Sequence, residues 1–152
     1  MVIVMFLRAL FAFLVLPGVF GISIPMLWAW QTYGLRTAEP FGLALLFIGL
    51  GTLLWCVRDF YVFGKGTLAP WSPPRHLVTG SLYAYSRNPM YISVITMLLG
   101  WATTFASPHM FVYALVVAFM FHVRVDFGEE PWLLRTHGQD WLNYERQVPR
   151  WL

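Results

Sequence analysis

A chain of 152 residues with 59% hydrophobic and 11% charged side chains and a mean hydropathy of +0.62 departs far from soluble domains, which carry about a quarter charged residues. Its net charge of +3 and pI near 9.3 come from basic residues scattered around apolar segments, which argues against a nucleic-acid stripe and for membrane topology. The single cysteine, Cys56, excludes an internal disulfide and a multi-cysteine zinc site, and the histidines show no metal-ligand spacing.

The first apolar segment, residues 5–28, runs past Pro17 without a small-residue cleavage site and is read as a retained helix rather than a removed signal. Segments 41–60, 89–105 and 109–125 follow, each bounded by Gly, Pro or charged residues. A helix needs about 20 apolar residues to cross a hydrocarbon core, and none of these runs alternates as barrel strands do. The expected fold class is therefore all-α: a polytopic membrane protein with four transmembrane helices in one domain over residues 1–152. In the second span, Gly42 and Gly49 lie seven apart and should permit close helix packing, and Cys56 is a small packing residue. Residues 106–108 join the third and fourth spans so tightly that these must form an antiparallel hairpin.

The segment 61–88 is rich in Gly, Pro and Ser, with Pro70, Pro73 and Pro74 opposing regular structure, and reads as a cytoplasmic loop. Beyond the fourth span, Leu134, His137, Trp141, Tyr144 and Val148 recur at spacings of three and four. An interfacial helix over 129–146 is expected, its apolar face on the membrane or over the loop, with Gly138 weakening it. Arg58, Lys65, Arg75 and Arg87 precede the third span, and Arg124, Arg135, Arg146 and Arg150 lie at or after the end of the fourth. With Arg8 near the start, they place both termini in the cytoplasm, leaving Arg36 and Glu39 on the other side. Trp28, Trp30, Trp55, Trp71, Trp101 and Trp151 read as interfacial belt residues, and His76, His109 and His137 as surface or cap residues.

Functional groups concentrate at the cytoplasmic ends of the third and fourth spans. Tyr85-Ser86-Arg87-Asn88-Pro89-Met90-Tyr91 opens the third with a proline in the first turn, and Arg87 and Asn88 bring a guanidinium and an amide to free backbone donors that suit an anion. The fourth leaves through His122-Val123-Arg124-Val125-Asp126-Phe127-Gly128-Glu129-Glu130-Pro131. Consecutive carboxylates at a helix C-terminus oppose the helix dipole, so a cation is expected beside them.

From about Gly64 onward the chain resembles the integral membrane methyltransferases that include isoprenylcysteine carboxyl methyltransferase, its bacterial relatives and the phospholipid methyltransferases. The resemblance is carried, in order, by Gly66-Thr67, Pro70, Pro73-Pro74, Leu77-Val78, Tyr83, Tyr85, Arg87-Asn88-Pro89-Met90-Tyr91, Gly100, Glu129-Glu130-Pro131, Leu133, Gly138, Tyr144 and Val148-Pro149-Arg150-Trp151. It implies an S-adenosylmethionine-dependent methyltransferase acting on a lipophilic or membrane-delivered acceptor. Leu77, Val78, Gly80, Tyr85, Arg87, Asn88, Tyr91, Gly100, Glu129 and Glu130 would surround the cofactor. One Glu would take its ammonium while the neighbour pairs with an Arg, and Tyr85 or Tyr91 would face its sulfonium. Ser81-Leu82 replaces the usual Gly-Pro, so Gly80 would supply backbone freedom one residue early. A basic residue four before the Glu pair is expected from some relatives, but Val125 stands there with Arg124 beside it.

Arg124 and His122 are the candidate catalytic residues, His122 as a base for an amine or thiol acceptor. No metal is implied. The expected partners are a lipophilic small-molecule or lipid substrate and the membrane lipids, with no nucleic acid, and the expected location is a bacterial inner membrane. Two alternatives are a sterol-reductase-type membrane enzyme using NADPH and a non-enzymatic membrane subunit.

Overall fold

The structure, a computed structural model, describes residues 14–33, 39–64 and 76–152. The start of the expected first span, with Arg8, lies outside the described residues. So do Arg36, Lys65, Gly66, Thr67, Pro70, Trp71, Pro73, Pro74 and Arg75. The described residues form helices and no strands. A π-helical stretch, Leu14–Ser23, runs into α1, Ile24–Tyr33; α2 spans Pro40–Val62, α3 Pro89–Thr104 and α4 Pro108–Arg124. A π turn, Val125–Glu129, then connects α4 to α5, Glu130–His137, and α6 covers Gln139–Gln147.

Proline sets the starts of α2, α3 and α4, occupying a first-turn position whose N–H has no partner within the helix. The expected hairpin between α3 and α4 is present and closes as a Schellman motif. Ala106 donates to Thr103 O at 3.1 Å, Ser107 to Ala102 O at 2.9 Å, and Ala106 itself takes the left-handed conformation, φ 46°. Ser107 then caps α4 by accepting from Met110 N.

Close approach of α2 and α3 is written in their glycines. A Cβ on Gly42 would lie 2.3 Å from Thr104 N, one on Gly49 2.7 Å from Met97 N, and one on Gly100 2.6 Å from Leu46 N. The two backbones touch along this seam, and α4 closes over it. Leu53, Val94, Met97, Leu98, Ala114 and Val117 form the shared core. The first helix is tied on by Trp101 Nε1 and Tyr113 OH, which donate to Gly21 O and Phe20 O, each at 3.1 Å.

Among the described residues, two helices are long and apolar enough to cross a membrane: Pro40–Val62, and the continuous run Pro108–His137. Only 22% of the most apolar window of either is buried, whereas the core helix of a soluble protein would be mostly covered. Phe47, Ile48, Trp55, Leu115, Phe119 and Met120 all point outward, as lipid-facing side chains should. Of the four expected spans, α3 is shorter, its 16 residues rising about 24 Å. The expected C-terminal helix is broken in two at Gly138, whose φ is 52°.

Gly49→Leu should lower detergent-solubilised stability by about 1–3 kcal/mol through overpacking. Gly51→Ala, whose Cβ meets nothing within 4 Å, should leave the unfolding midpoint level or raise it. Thermal unfolding of both variants reads the difference.

Candidate functional site

At the entrance to α3, Ser86 Oγ accepts from Asn88 N at 3.1 Å and turns the backbone toward the helix. The Arg87 side chain is left 9% exposed. At the exit of α4, on the same end of the hairpin, the helical backbone does not stop at the acidic pair. It passes through the π turn, and Glu130 opens α5. The carboxylates therefore sit inside a helical rod rather than at a C-terminus, and for Glu130 burial, not the dipole, is what calls cations to it.

Glu130 is enclosed by two arginines. Arg87 Nη1 lies 3.0 Å from its Oε1, and Arg150 forks onto it with Nε at 2.9 Å and Nη2 at 2.7 Å, the bidentate geometry that makes guanidinium–carboxylate pairs strong. Arg87 also reaches Glu145 at 3.1 Å and lies 5.4 Å from the Trp141 ring centroid, while Arg150 reaches Asp126 at 2.9 Å. The chain end is strapped across the α3 entrance: Arg87 N donates to Pro149 O at 2.9 Å and Asn88 Nδ2 to Arg150 O at 3.0 Å. Much of the donor capacity expected to meet an anion at this helix start is thus taken by the chain's own carbonyls.

Glu129 faces elsewhere and is more open. It accepts from Tyr91 OH and from Arg124 Nε at 2.8 Å; Arg124 Nε also donates to Tyr91 OH at 3.1 Å. The Tyr91 ring stacks on Phe121 with centroids 4.3 Å apart. Glu129 and Arg124 are 34% and 49% exposed against 11% for Glu130, so of the two acids Glu129 is the one a ligand can reach.

A polar depression of about 400 Å³ lies between the loop and the α5–α6 corner, lined by His76, Leu77, Thr79, His137, Asp140 and Asn143. Two buried nitrogens near this end, Arg87 Nε and His137 Nε2, have no hydrogen-bond partner among the described residues.

The structure thus gathers Arg87, Asn88, Tyr91, Arg124, Glu129 and Glu130 at one end of the hairpin. Leu77 packs on Trp141, Tyr144 and Val148, so the apolar face of α6 lies over the loop. Val78 joins Cys56 and Tyr83. Gly80 precedes a 3₁₀ turn, Ser81–Ala84, in extended conformation. The left-handed residue is Ser81, φ 59°, which corrects the expectation that Gly80 supplies that freedom. Tyr85 is 76% exposed, Gly100 lies in the α2–α3 seam, and His122 turns to Trp151, ring centroids 6.1 Å apart; none of the three joins the cluster. Sequence reasoning left out Trp141 and Glu145 as partners of Arg87 and gave His76 and His137 to the surface. The α6 periodicity held the signal for Trp141, while the depression depends on a corner at Gly138 that no spacing displays.

Helices suited to a bilayer, with an ionic cluster where two of them meet at one end, define a membrane protein with a polar site at its boundary. A phospholipid methyltransferase family model matches residues 38–140, more than half of the chain, and the protein belongs to that family. No curated protein and no solved structure matches it. Membership makes it a methyltransferase of membrane lipid-type substrates.

Glu130→Ala leaves Arg87 with Glu145 and Arg150 with Asp126 but removes the most buried carboxylate of the cluster and its forked bond, so it should cost about 1–3 kcal/mol, read as a lowered unfolding midpoint. Burial pushes the Tyr144 phenol up to about 12, against the charge of Arg87, which lowers it, and holds Tyr83 well above its ordinary value. Tyr144 OH donates to Tyr83 O at 2.6 Å. An unfolded tyrosine ionises near pH 10, so the stability these phenols contribute is intact below pH 10 and is lost as pH rises toward 12. Alkaline unfolding followed at 295 nm should show that loss, reduced in Tyr144→Phe.

Proposed function

We propose that the chain transfers a methyl group from S-adenosylmethionine to a lipophilic or membrane-delivered acceptor. The observation carrying this reading is the pairing of a closed ionic clamp around Glu130 with the open Tyr91–Arg124–Glu129 group next to it. The residues suit such a donor. Glu129 is exposed enough to take its ammonium, and the outer nitrogens of the half-exposed Arg124 can take its carboxylate. In the depression, Asp140, Asn143, Thr79 and the orphaned His137 Nε2 suit the ribose hydroxyls, with Leu77 against the base and Val78 and Gly80 shaping the loop behind.

The donor supplies an electrophilic methyl carbon on a sulfonium. Tyr91, fixed by its stack on Phe121 and its bond to Glu129, can present its ring to that positive charge, an attraction of about 0.5–2 kcal/mol depending on desolvation. The departing thioether needs no proton, so the protein's task is alignment and exclusion of water. A carboxylate acceptor is already ionised and needs no base; an amine or thiol must lose a proton, and His122, turned to Trp151 outside the cluster, can take it only from an acceptor held on that side of α4. The acceptor enters from lipid beside the outward Phe119, Met120 and Val123 of α4.

The first helix and α2 to α4 are read as four crossings, α3 being short enough to thin the bilayer locally. The basic residues Arg58, Arg87, Arg124, Arg135, Arg146 and Arg150 support a reading in which the clamp and both termini face the cytoplasm, across what is read as a bacterial inner membrane.

Incubation of purified protein with methyl-labelled S-adenosylmethionine and lipid extracts should carry label into the organic phase. In Glu129→Gln, donor affinity should fall about tenfold, the loss of one charge-assisted bond, with the unfolding midpoint little changed. Donor binding that ignores Glu129, or NADPH binding in its place, would overturn the reading.

A further inference from the structure

Arg124 and Glu129 are five residues apart. An α-helix advances about 100° per residue, which would set them about 140° apart around the rod, too far to share a partner. They nevertheless meet at 2.8 Å, and both reach the Tyr91 hydroxyl.

The π turn closes that gap. Glu130 N donates to Val125 O, five residues back, so one extra residue is wound into the turn and positions five apart come onto one face. The same turn leaves Asp126 and Glu130 toward Arg150, and keeps Phe121, Arg124 and Glu129 toward Tyr91. The inserted length itself packs on nothing: Phe127 is 78% exposed, and a Cβ on Gly128 would meet no atom within 4 Å. The outward side of the turn, Phe127 and Gly128, is bare, while its inward side carries the buried Val125 and the ionic contacts of Asp126 and Glu129.

We propose that the π turn is a one-residue insertion that keeps Arg124 in register with Glu129 and Tyr91, and that Arg124 is a positioning residue. It acts by fixing the carboxylate that receives the donor's ammonium, an inference that rests on the function proposed above. The neighbouring Val125 is 1% exposed and turned into the packing, so the basic residue belongs at 124 and not at 125.

The test uses deletion and insertion at Gly128, with labelled S-adenosylmethionine as the probe. Deleting Gly128 converts the five-residue spacing to four, which an ordinary α-helix closes, so affinity should stay within about threefold of the unaltered protein. Inserting one alanine after Gly128 should break the register and lower affinity about tenfold, as should Arg124→Gln. Arg124→Lys should recover part of the loss, which a purely structural role would not give. Deletion of Gly128 as damaging as the insertion, or Arg124→Gln binding like the unaltered protein, would overturn the proposal while leaving the methyl-donor reading in place. Failure of the unaltered protein to bind the donor would end both.

Discussion

Glu130 held between Arg87 and Arg150 is the contact on which the polar end of this molecule depends. The three residues come from the entrance of α3, the start of α5 and the chain terminus, and each guanidinium lies within 3.0 Å of the carboxylate. With Glu130 nearly covered, its charge needs these partners, and Glu145 beside Arg87 and Asp126 beside Arg150 extend the contact into a network. The Trp141 ring under Arg87 and the fork of Arg150 complete that enclosure. One consequence is a division of labour between adjacent acids: Glu130 closes the structure, and Glu129 is left on an open face where a ligand can meet it.

That division depends in turn on how the helices are held. Backbone contact between α2 and α3 at Gly42, Gly49 and Gly100 fixes the α3 entrance relative to the bundle, and the tight hairpin fixes α4 against α3. The π turn then sets which way the two acids look. Polar chemistry is confined to one end because the outward faces of α2 and α4 are apolar along the rest of their length, as a hydrocarbon surround requires. The loop is brought over the same end by Tyr144, whose hydroxyl ties α6 to Tyr83.

Helix positions were legible because apolar runs and proline starts are local signals. Pro40, Pro89 and Pro108 mark the α2 to α4 starts within a residue or so of where composition places them. The Gly42–Gly49 spacing correctly indicated a close crossing. That Arg87, Tyr91, Glu129 and Glu130 share one end was legible from the antiparallel hairpin, and family resemblance drew them around one site, since their spacing alone does not place position 87 beside position 130. Less visible were features fixed by backbone geometry at single residues. The left-handed turn falls on Ser81 instead of Gly80, and Gly138 breaks the C-terminal helix in two. The fourth helix continues past Val125 because a π turn costs no hydrophobic pattern. Gly100, placed by resemblance at the cofactor, lies in the helix seam because its missing side chain is what Leu46 packs against.

The most direct test of the account is photo-crosslinking with 8-azido-S-adenosylmethionine, followed by peptide mapping with and without excess unlabelled donor. Protectable adducts on the segments 76–79 or 137–143 would place the nucleoside against the loop and the α5–α6 corner, as the account requires. Protectable adducts confined to the far ends of α2 and α3, near Glu39 and Thr104, would contradict it.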